Sequence, residues 1–437
     1  MSGDKRQAIR RDPAGAGESV ENGTPLSTGC PPFRHRSTPG LCGLFHNAHS
    51  PYYDCGEGNI LNPRRKATLR LVIDQSDLHA ALQVAIRGVA TRSTLPVLSG
   101  ILLVAEPEQL RLVATDMEMT VEVLAPARVQ EEGSVVLPGR HLVEIVRRLP
   151  PGEVHLEVEG FRARILQERS RFTIHGTDPG IFPAMPHISA GSTVLFDNGL
   201  LRNVLRRTTF AVSTDEGRPI LTGVSFRAEG DRLQAVATDG FRIAACSVTL
   251  ERPVEGQPVA AVIPGRSLAE VARLLPDQGI GRLLLDETQA GFQLGEVRLI
   301  TRLVDGVYPD VLGLVPSEYP TRVQLPTRAF QEACERAALL ADTRQPARWV
   351  IRLAVEPGRL VITASDPELG EAREEIPAQV DGEGMVIGFN ARYLVDGLKA
   401  IDTEEVLFEL TEPLKASRLR GVGADDFTYI VLPVKIS

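Results

Sequence analysis

The residues whose types could do chemistry are the histidines, the cysteines and a set of repeated hydroxyl–carboxylate pairs. His141, His155, His175 and His187 have no cysteine or histidine at metal-ligand spacing. Cys30, Cys42 and Cys55 lie near His46 and His49, but without the close C-x2-C pair of a zinc site. Cys246 and Cys334 stand alone in apolar surroundings, as core residues do. No G-x-x-x-x-G-K-[ST] cradles a phosphate, and no G-x-S-x-G or H-E-x-x-H supplies a nucleophile or a metal. Asp425-Asp426 and Glu404-Glu405 read as loop charges. The remaining candidates are Thr115-Asp116, Thr238-Asp239 and Ser365-Asp366. Their aspartates lie 123 and 127 residues apart, too far to converge on one catalytic centre. A carboxylate that bonds backbone N–H groups and closes a tight turn explains them better. The chain therefore reads as a non-enzyme that needs no cofactor and no metal.

Each pair sits inside a longer echo. Leu98–Val121, Leu221–Ala244 and Val350–Gly370 all read as a strand, a turn, a strand and the hydroxyl–Asp pair. A period this long signals tandem domains rather than the ~20–50-residue units of a solenoid. The boundaries expected are 67–187, 192–315 and 317–437. Residues 1–66, rich in Gly, Pro, Ser and Arg and without periodicity, are expected to be disordered.

Each domain repeats internally as well. A strand, an apolar-striped helix and three alternating strands occur twice, so the expected fold is α+β. Helical windows fall at 77–92, 139–148, 200–207, 265–275, 328–344 and 391–400. The second helix of each domain follows a related junction: Leu137-Pro138-Gly139-Arg140, Ile263-Pro264-Gly265-Arg266 and Phe389-Asn390-Ala391-Arg392.

The chain carries a net charge of -8, yet these six windows together carry +8. A cationic lining inside an acidic body suits phosphate backbones held without sequence readout. Arg147, Arg148, Arg202, Arg206 and Arg207 are candidate DNA contacts by charge and helix position. Solvated helix faces are the alternative. No run of 18 apolar residues is present, so no membrane span is expected, and the chain reads as cytoplasmic.

Five segments carry a family resemblance: TLPVLSGILL (94–103), FAVSTDEGRPILTGVSF (210–226), LQAVATDGFRIA (233–244), RLVDGVYPD (302–310) and IGFNARYLVDGLKAI (387–401). In this order they resemble the bacterial sliding clamp family, the β subunits of DNA polymerase III, from about Thr68 to Ser437. The resemblance implies three clamp domains closing head to tail, as a homodimeric ring, around double-stranded DNA. It implies a peptide pocket serving the polymerase III α subunit, the clamp loader and other clamp-binding proteins. The matching positions are Leu221, Thr238, Gly240, Arg242 and Pro309, with Pro433 near the C-terminus, where Leu432, also a pocket candidate, lies in a segment that lacks the methionine often found there. On this reading Leu221 and Pro309 form an apolar wall, Gly240 lets backbone approach, and Arg242 is a charged rim. Phe241 stands where the family commonly has His, and Ile243 where it has Leu. Arg92 matches a family arginine that touches DNA. Phe172 matches an aromatic at the ring seam, and Leu339 and Leu340 match apolar residues on its other side; core packing is the alternative. A specialised paralogue for repair or drug tolerance, and a peptide-binding scaffold that no longer encircles DNA, are the competing readings.

Overall fold

The computed structural model describes residues 68–188, 191–254, 258–341 and 349–436. The expected disorder of 1–66, with Cys30, Cys42 and Cys55, lies outside the described residues.

The first domain runs β1 (Thr68–Asp74), α1 (Gln75–Ala85), β2 (Gly100–Glu106), β3 (Gln109–Thr115), β4 (Met119–Pro126), β5 (Arg128–Glu131), β6 (Gly133–Pro138), α2 (Gly139–Arg147), β7 (Glu153–Glu159), β8 (Arg162–Gln167) and β9 (Ser170–His175). The second runs β10 (Ser192–Asp197), α3 (Asn198–Thr208), β11 (Gly223–Glu229), β12 (Arg232–Thr238), β13 (Arg242–Thr249), β14 (Val259–Pro264), α4 (Gly265–Leu274), β15 (Ile280–Leu285), β16 (Gln289–Leu294) and β17 (Val297–Arg302). The third runs β18 (Thr321–Pro326), α5 (Thr327–Ala338), β19 (Val350–Glu356), β20 (Arg359–Asp366), β21 (Gly370–Pro377), β22 (Gln379–Asp381), β23 (Val386–Asn390), α6 (Ala391–Lys399), β24 (Glu405–Leu410), β25 (Ser417–Gly421) and β26 (Phe427–Val431). Each domain is thus two strand–helix–three-strand halves, with β5 and β22 as short additions. The two helices of each domain pack on each other.

Local chemistry sets the helix starts. Asp74 and Asp197 cap α1 and α3 by accepting backbone N–H bonds, and Asn390 does the same for α6. The helix expected over 77–92 stops at Ala85, with one 3-10 turn to Gly88. At Gly88 a Cβ would lie 2.6 Å from the Ala114 carbonyl, so the chain turns away against β3 and leaves Arg92 in an exposed loop. Similarly α5 ends at Ala338, short of the expected 344.

The sheets do not respect the domains. Strand order is β5-β1-β7-β8-β9 in one sheet and β10-β15-β16-β17-β4-β3-β2-β6 in the next. The third is β14-β11-β12-β13-β26-β25-β24-β18-β22 and the fourth β21-β20-β19-β23. Antiparallel pairing of β17 with β4 therefore joins domains one and two, with Leu299 opposite Val121. Pairing of β13 with β26 joins domains two and three, with Ala244 opposite Tyr429. At both junctions the last strand of a second half meets the last long strand of a first half. The same two types of strand, β9 and β21, are left at sheet edges.

Candidate functional site

The Thr238–Arg242 turn is built by its own side chains. Thr238 Oγ1 accepts from the Gly240 N–H at 3.0 Å and donates to the Arg242 carbonyl at 2.6 Å. Asp239 Oδ1 accepts from the N–H groups of Phe241 and Arg242 at 2.9 and 3.1 Å. Asp116 and Asp366 close their turns in the same manner. The repeated aspartates are thus turn-makers. Gly240 has φ +92°, where a side chain is strained, and a Cβ there would lie 3.0 Å from the Arg218 guanidinium.

Arg242 corrects the sequence reading. It is 8% exposed and is no rim charge. Its Nε donates to Asp239 at 3.0 Å, its Nη1 to Asp396 on α6 at 2.7 Å and its Nη2 to the Phe210 carbonyl at 2.8 Å. Its guanidinium lies 4.4 Å from the centroid of the Tyr393 ring. The residue ties the turn to the third domain from behind. On the open side, Phe241 is 56% exposed and stacks on Tyr393, with 6.5 Å between centroids and 24° between planes. The Phe241 carbonyl accepts from the Leu432 N–H at 2.9 Å, placing exposed Leu432 and half-buried Pro433 alongside.

The segment between domains completes the seat. Val311 is buried, and Tyr308 and Leu312 are partly buried, against Val236, Ala245 and Ile243 on the outer face of β12 and β13. Burial pushes the Tyr308 phenol up to about 12. Pro309, Val307 and Leu314 remain exposed there, and Leu221 is buried at the foot of the preceding 3-10 turn. All nine pocket candidates thus fall on the junction of domains two and three or on the segments flanking it. Sequence reading missed Phe210, Tyr393 and Asp396, which hold Arg242, and also Arg218. Only a cation needing partners at Arg242 signalled them.

The junction of domains one and two differs at the matching positions. There the Arg302 N–H donates to the Glu118 carbonyl at 3.0 Å, matching Leu432 and Phe241. An apolar pair is thus replaced by a charged one. Met117 takes the place of Gly240 at φ +78° and is 49% exposed. A separate open hollow lies in the first domain among Val72, Glu108, Pro126 and Arg128, away from either junction.

The candidate DNA contacts divide. Arg147 and Arg148 are exposed on and just after α2 and share Glu144. Arg202 reaches back to the carbonyls of Leu275 and Pro276. Arg206 bonds the Lys399 carbonyl and Asp402. Arg207 is 7% exposed and paired with Asp402 and Asp426, so it is a bolt between domains two and three rather than a phosphate contact.

Beside two of the edge strands, β9 and β21, Phe172 is exposed on β9 and Leu339 is 74% exposed just beyond α5, which packs on β21. Leu340, next to it, is half-buried. Thirteen residues after the N-cap positions Asp74, Asp197 and Pro326 stand Arg87, Phe210 and Leu339. Arg87 reaches Glu270 in domain two at 3.0 Å, and Phe210 packs 5.7 Å from Tyr429 in domain three. Leu339, the third of the series, faces solvent.

Doubled domains that share sheets across their junctions, with an apolar seat at one junction, define a clamp-type accessory protein. Among the described residues no group of three or more His, Cys, Asp or Glu is placed to hold a metal. None of their helices is long and apolar enough to cross a membrane.

Comparison with known proteins agrees. Family models of the DNA polymerase III beta subunit match its N-terminal domain at residues 69–186, its central domain at 196–310 and its C-terminal domain at 313–435. Beta sliding clamps of Staphylococcus aureus and Staphylococcus epidermidis are each 34% identical over 365 residues, covering 81% of this chain and 96% of theirs. The crystal structure of the Bacillus subtilis sliding clamp superposes with a TM-score of 0.81 at 32% identity, covering 84% of this chain and all of that one. A Pseudomonas aeruginosa clamp bound to griselimycin superposes at 0.79 and 31% identity, with the same coverage. The chain belongs to the DNA polymerase III beta subunit family, the bacterial sliding clamps. Its function is that of a non-catalytic processivity factor of DNA polymerase III, associated with the polymerase holoenzyme.

Proposed function

We propose that two copies of this chain close head to tail into a ring around duplex DNA. The observation that carries this is that β9 and β21, two of the edge strands, each lack a neighbour on one side. β9 and β21 are of the same two kinds as the strands that pair at both internal junctions, and they lie at opposite ends of the domain series. A third junction of the same kind, made between copies, uses up both edges and closes after one rotation. Phe172, Leu339 and Leu340 lie in that seam, Leu339 taking the part that Arg87 and Phe210 play inside the chain. The helices face the hole. Arg92, Arg147 and Arg148 meet phosphates there without reading bases, as a sliding tether requires. Arg202 and Arg206, both on α3 and each paired with an aspartate, stay part-exposed at its rim.

The seat around Leu221, Thr238, Gly240, Phe241, Ile243, Pro309, Leu432 and Pro433 holds a short linear peptide of the polymerase III α subunit, the clamp loader or another partner. Tethering turns polymerase rebinding into a local event at high effective concentration. The test is retention on a nicked circular plasmid after loading. The expected result is a complex that survives on the circle and is lost on linearisation. Equal loss from both topologies refutes encirclement, and a strict monomer at micromolar concentration favours the scaffold reading instead.

A further inference from the structure

The outer face of the nine-stranded sheet carries a row of side chains of which the activity above uses only Ile243. Ile243 on β13 lies opposite Ile430 on β26, and Ile430 opposite Arg418 on β25. Arg418 lies opposite Glu409 on β24, and Glu409 opposite Arg322 on β18. The row therefore starts at the peptide seat and crosses into the third domain, where Ile430 is buried and Tyr319 covers part of Arg418, so that its most open member is Arg322. Glu409 is fully buried, and Arg418 and Arg420 donate to the same oxygen at 2.5 and 3.2 Å. Arg322 stands 3.8 Å from the other oxygen, with its side chain 56% exposed. Arg418 and Arg420 hold one oxygen, and the other has no hydrogen-bond partner, so Arg322 is ion-paired to it without being hydrogen-bonded. Arg418 is also stacked 4.4 Å over Tyr319, whose buried hydroxyl, like that of Ser417, has no hydrogen-bond partner.

We propose that Arg322, Arg418 and Arg420 form a basic subsite that takes carboxylate side chains flanking a partner peptide held in the seat. The proposal rests on the peptide-binding reading of that seat. Strands lie ~4.8 Å apart, so Arg418 is about 10 Å and Arg322 about 19 Å from Ile243 along the row. An extended peptide rises ~3.3 Å per residue, which places the matching acidic residues roughly three and six positions from the residue that sits on Ile243. The island is small. Asp381 lies opposite Arg322 across β18 and β22, Asp425 bonds Arg420, and Glu405 bonds Gln324. One or two carboxylates fit inside this acidic margin, whereas a continuous phosphate backbone meets repulsion at its edges.

The test uses fluorescence anisotropy on the full chain. Ten-residue tiles of the cognate polymerase III α subunit are screened, and the tightest is remade with three Glu or three Gln at either end. Arg322→Gln is the variant, because it leaves the two close Arg–Glu409 ion pairs in place. At low salt the Glu-flanked peptide is expected to bind about fivefold tighter than the Gln-flanked one, the range of a few exposed ion pairs. The advantage disappears in Arg322→Gln and in about 0.5 M salt, where exposed charges are screened. Equal affinity of the two peptides for the wild-type chain overturns the subsite while leaving the seat intact. If no tile binds, the seat reading fails, and acetylated hexaglutamate titrated alone decides the subsite. Saturable binding weakened by Arg322→Gln upholds it, and no binding overturns it. Binding of dT12 that is lost in Arg322→Gln assigns the row to nucleic acid and also overturns it.

Discussion

Replacing Arg242 by Ala separates two roles that its position beside the seat allows. The side chain is buried and bonded to Asp239, Asp396 and the Phe210 carbonyl, so its removal strands two carboxylates and a carbonyl at the junction of domains two and three. Breaking a buried pair by deleting one partner costs about 3–5 kcal/mol. Lost stacking on Tyr393 adds to that. With a urea slope of ~3 kcal/mol/M, the unfolding midpoint should fall by 1 M or more. The single tryptophan, Trp349, lies in the third domain, so its fluorescence follows that domain while circular dichroism follows the whole chain. The Trp349 transition should move to lower urea first, since the junction is what fails. Phe241→Ala is the contrast. Its ring is exposed, so stability should stay within ~0.5 kcal/mol of wild type while peptide affinity falls. An Arg242→Ala chain with an unchanged midpoint but lost peptide binding would refute this reasoning and make Arg242 the rim charge that its sequence position suggests.

Three further outcomes are expected. Leu339→Glu forfeits about 1.5–3 kcal/mol of apolar burial in the proposed seam and adds an unpaired charge, so light scattering should show the dimer weakened more than tenfold. An unchanged dimer would remove Leu339 from the seam. Met117 holds φ +78°, so Met117→Gly should leave stability level or raise it by up to ~1 kcal/mol in calorimetry, whereas Gly240→Met lowers it; a loss on Met117→Gly would show that its side chain packs more than its backbone strains. Burial works to raise the Glu409 carboxyl, and the bonds from Arg418 and Arg420 outweigh it, holding it below the usual carboxylate range. Its stabilisation is therefore complete above the unfolded value of ~4.3 and lost as pH falls through the lower folded value. The stability gap between wild type and Glu409→Gln should be flat from about pH 7 to 5 and close below about pH 4; a gap that persists in acid contradicts the pairing.

What the sequence alone determined is whatever is written in local chemistry and repeated. The three hydroxyl–Asp pairs are turns because each carboxylate bonds N–H groups two and three residues on, within reach of any chain with that order. The halves, the helix caps and the alternating strands follow from the same short-range rules, and the family motifs are contiguous strings. The tertiary structure decided which cations are spent. Arg242 meets Asp396 across 154 residues and Arg207 meets Asp426 across 219, distances over which no spacing rule operates. It also decided that β4 and β13 join neighbouring domains while β21 stays open, because edge pairing depends on which strand arrives alongside. The difference between Gly240 with Phe241 and Leu432, and Met117 with Glu118 and Arg302, is visible in the sequence as letters. Its meaning comes only from the backbone bond that sets each pair side by side, one apolar and the other charged.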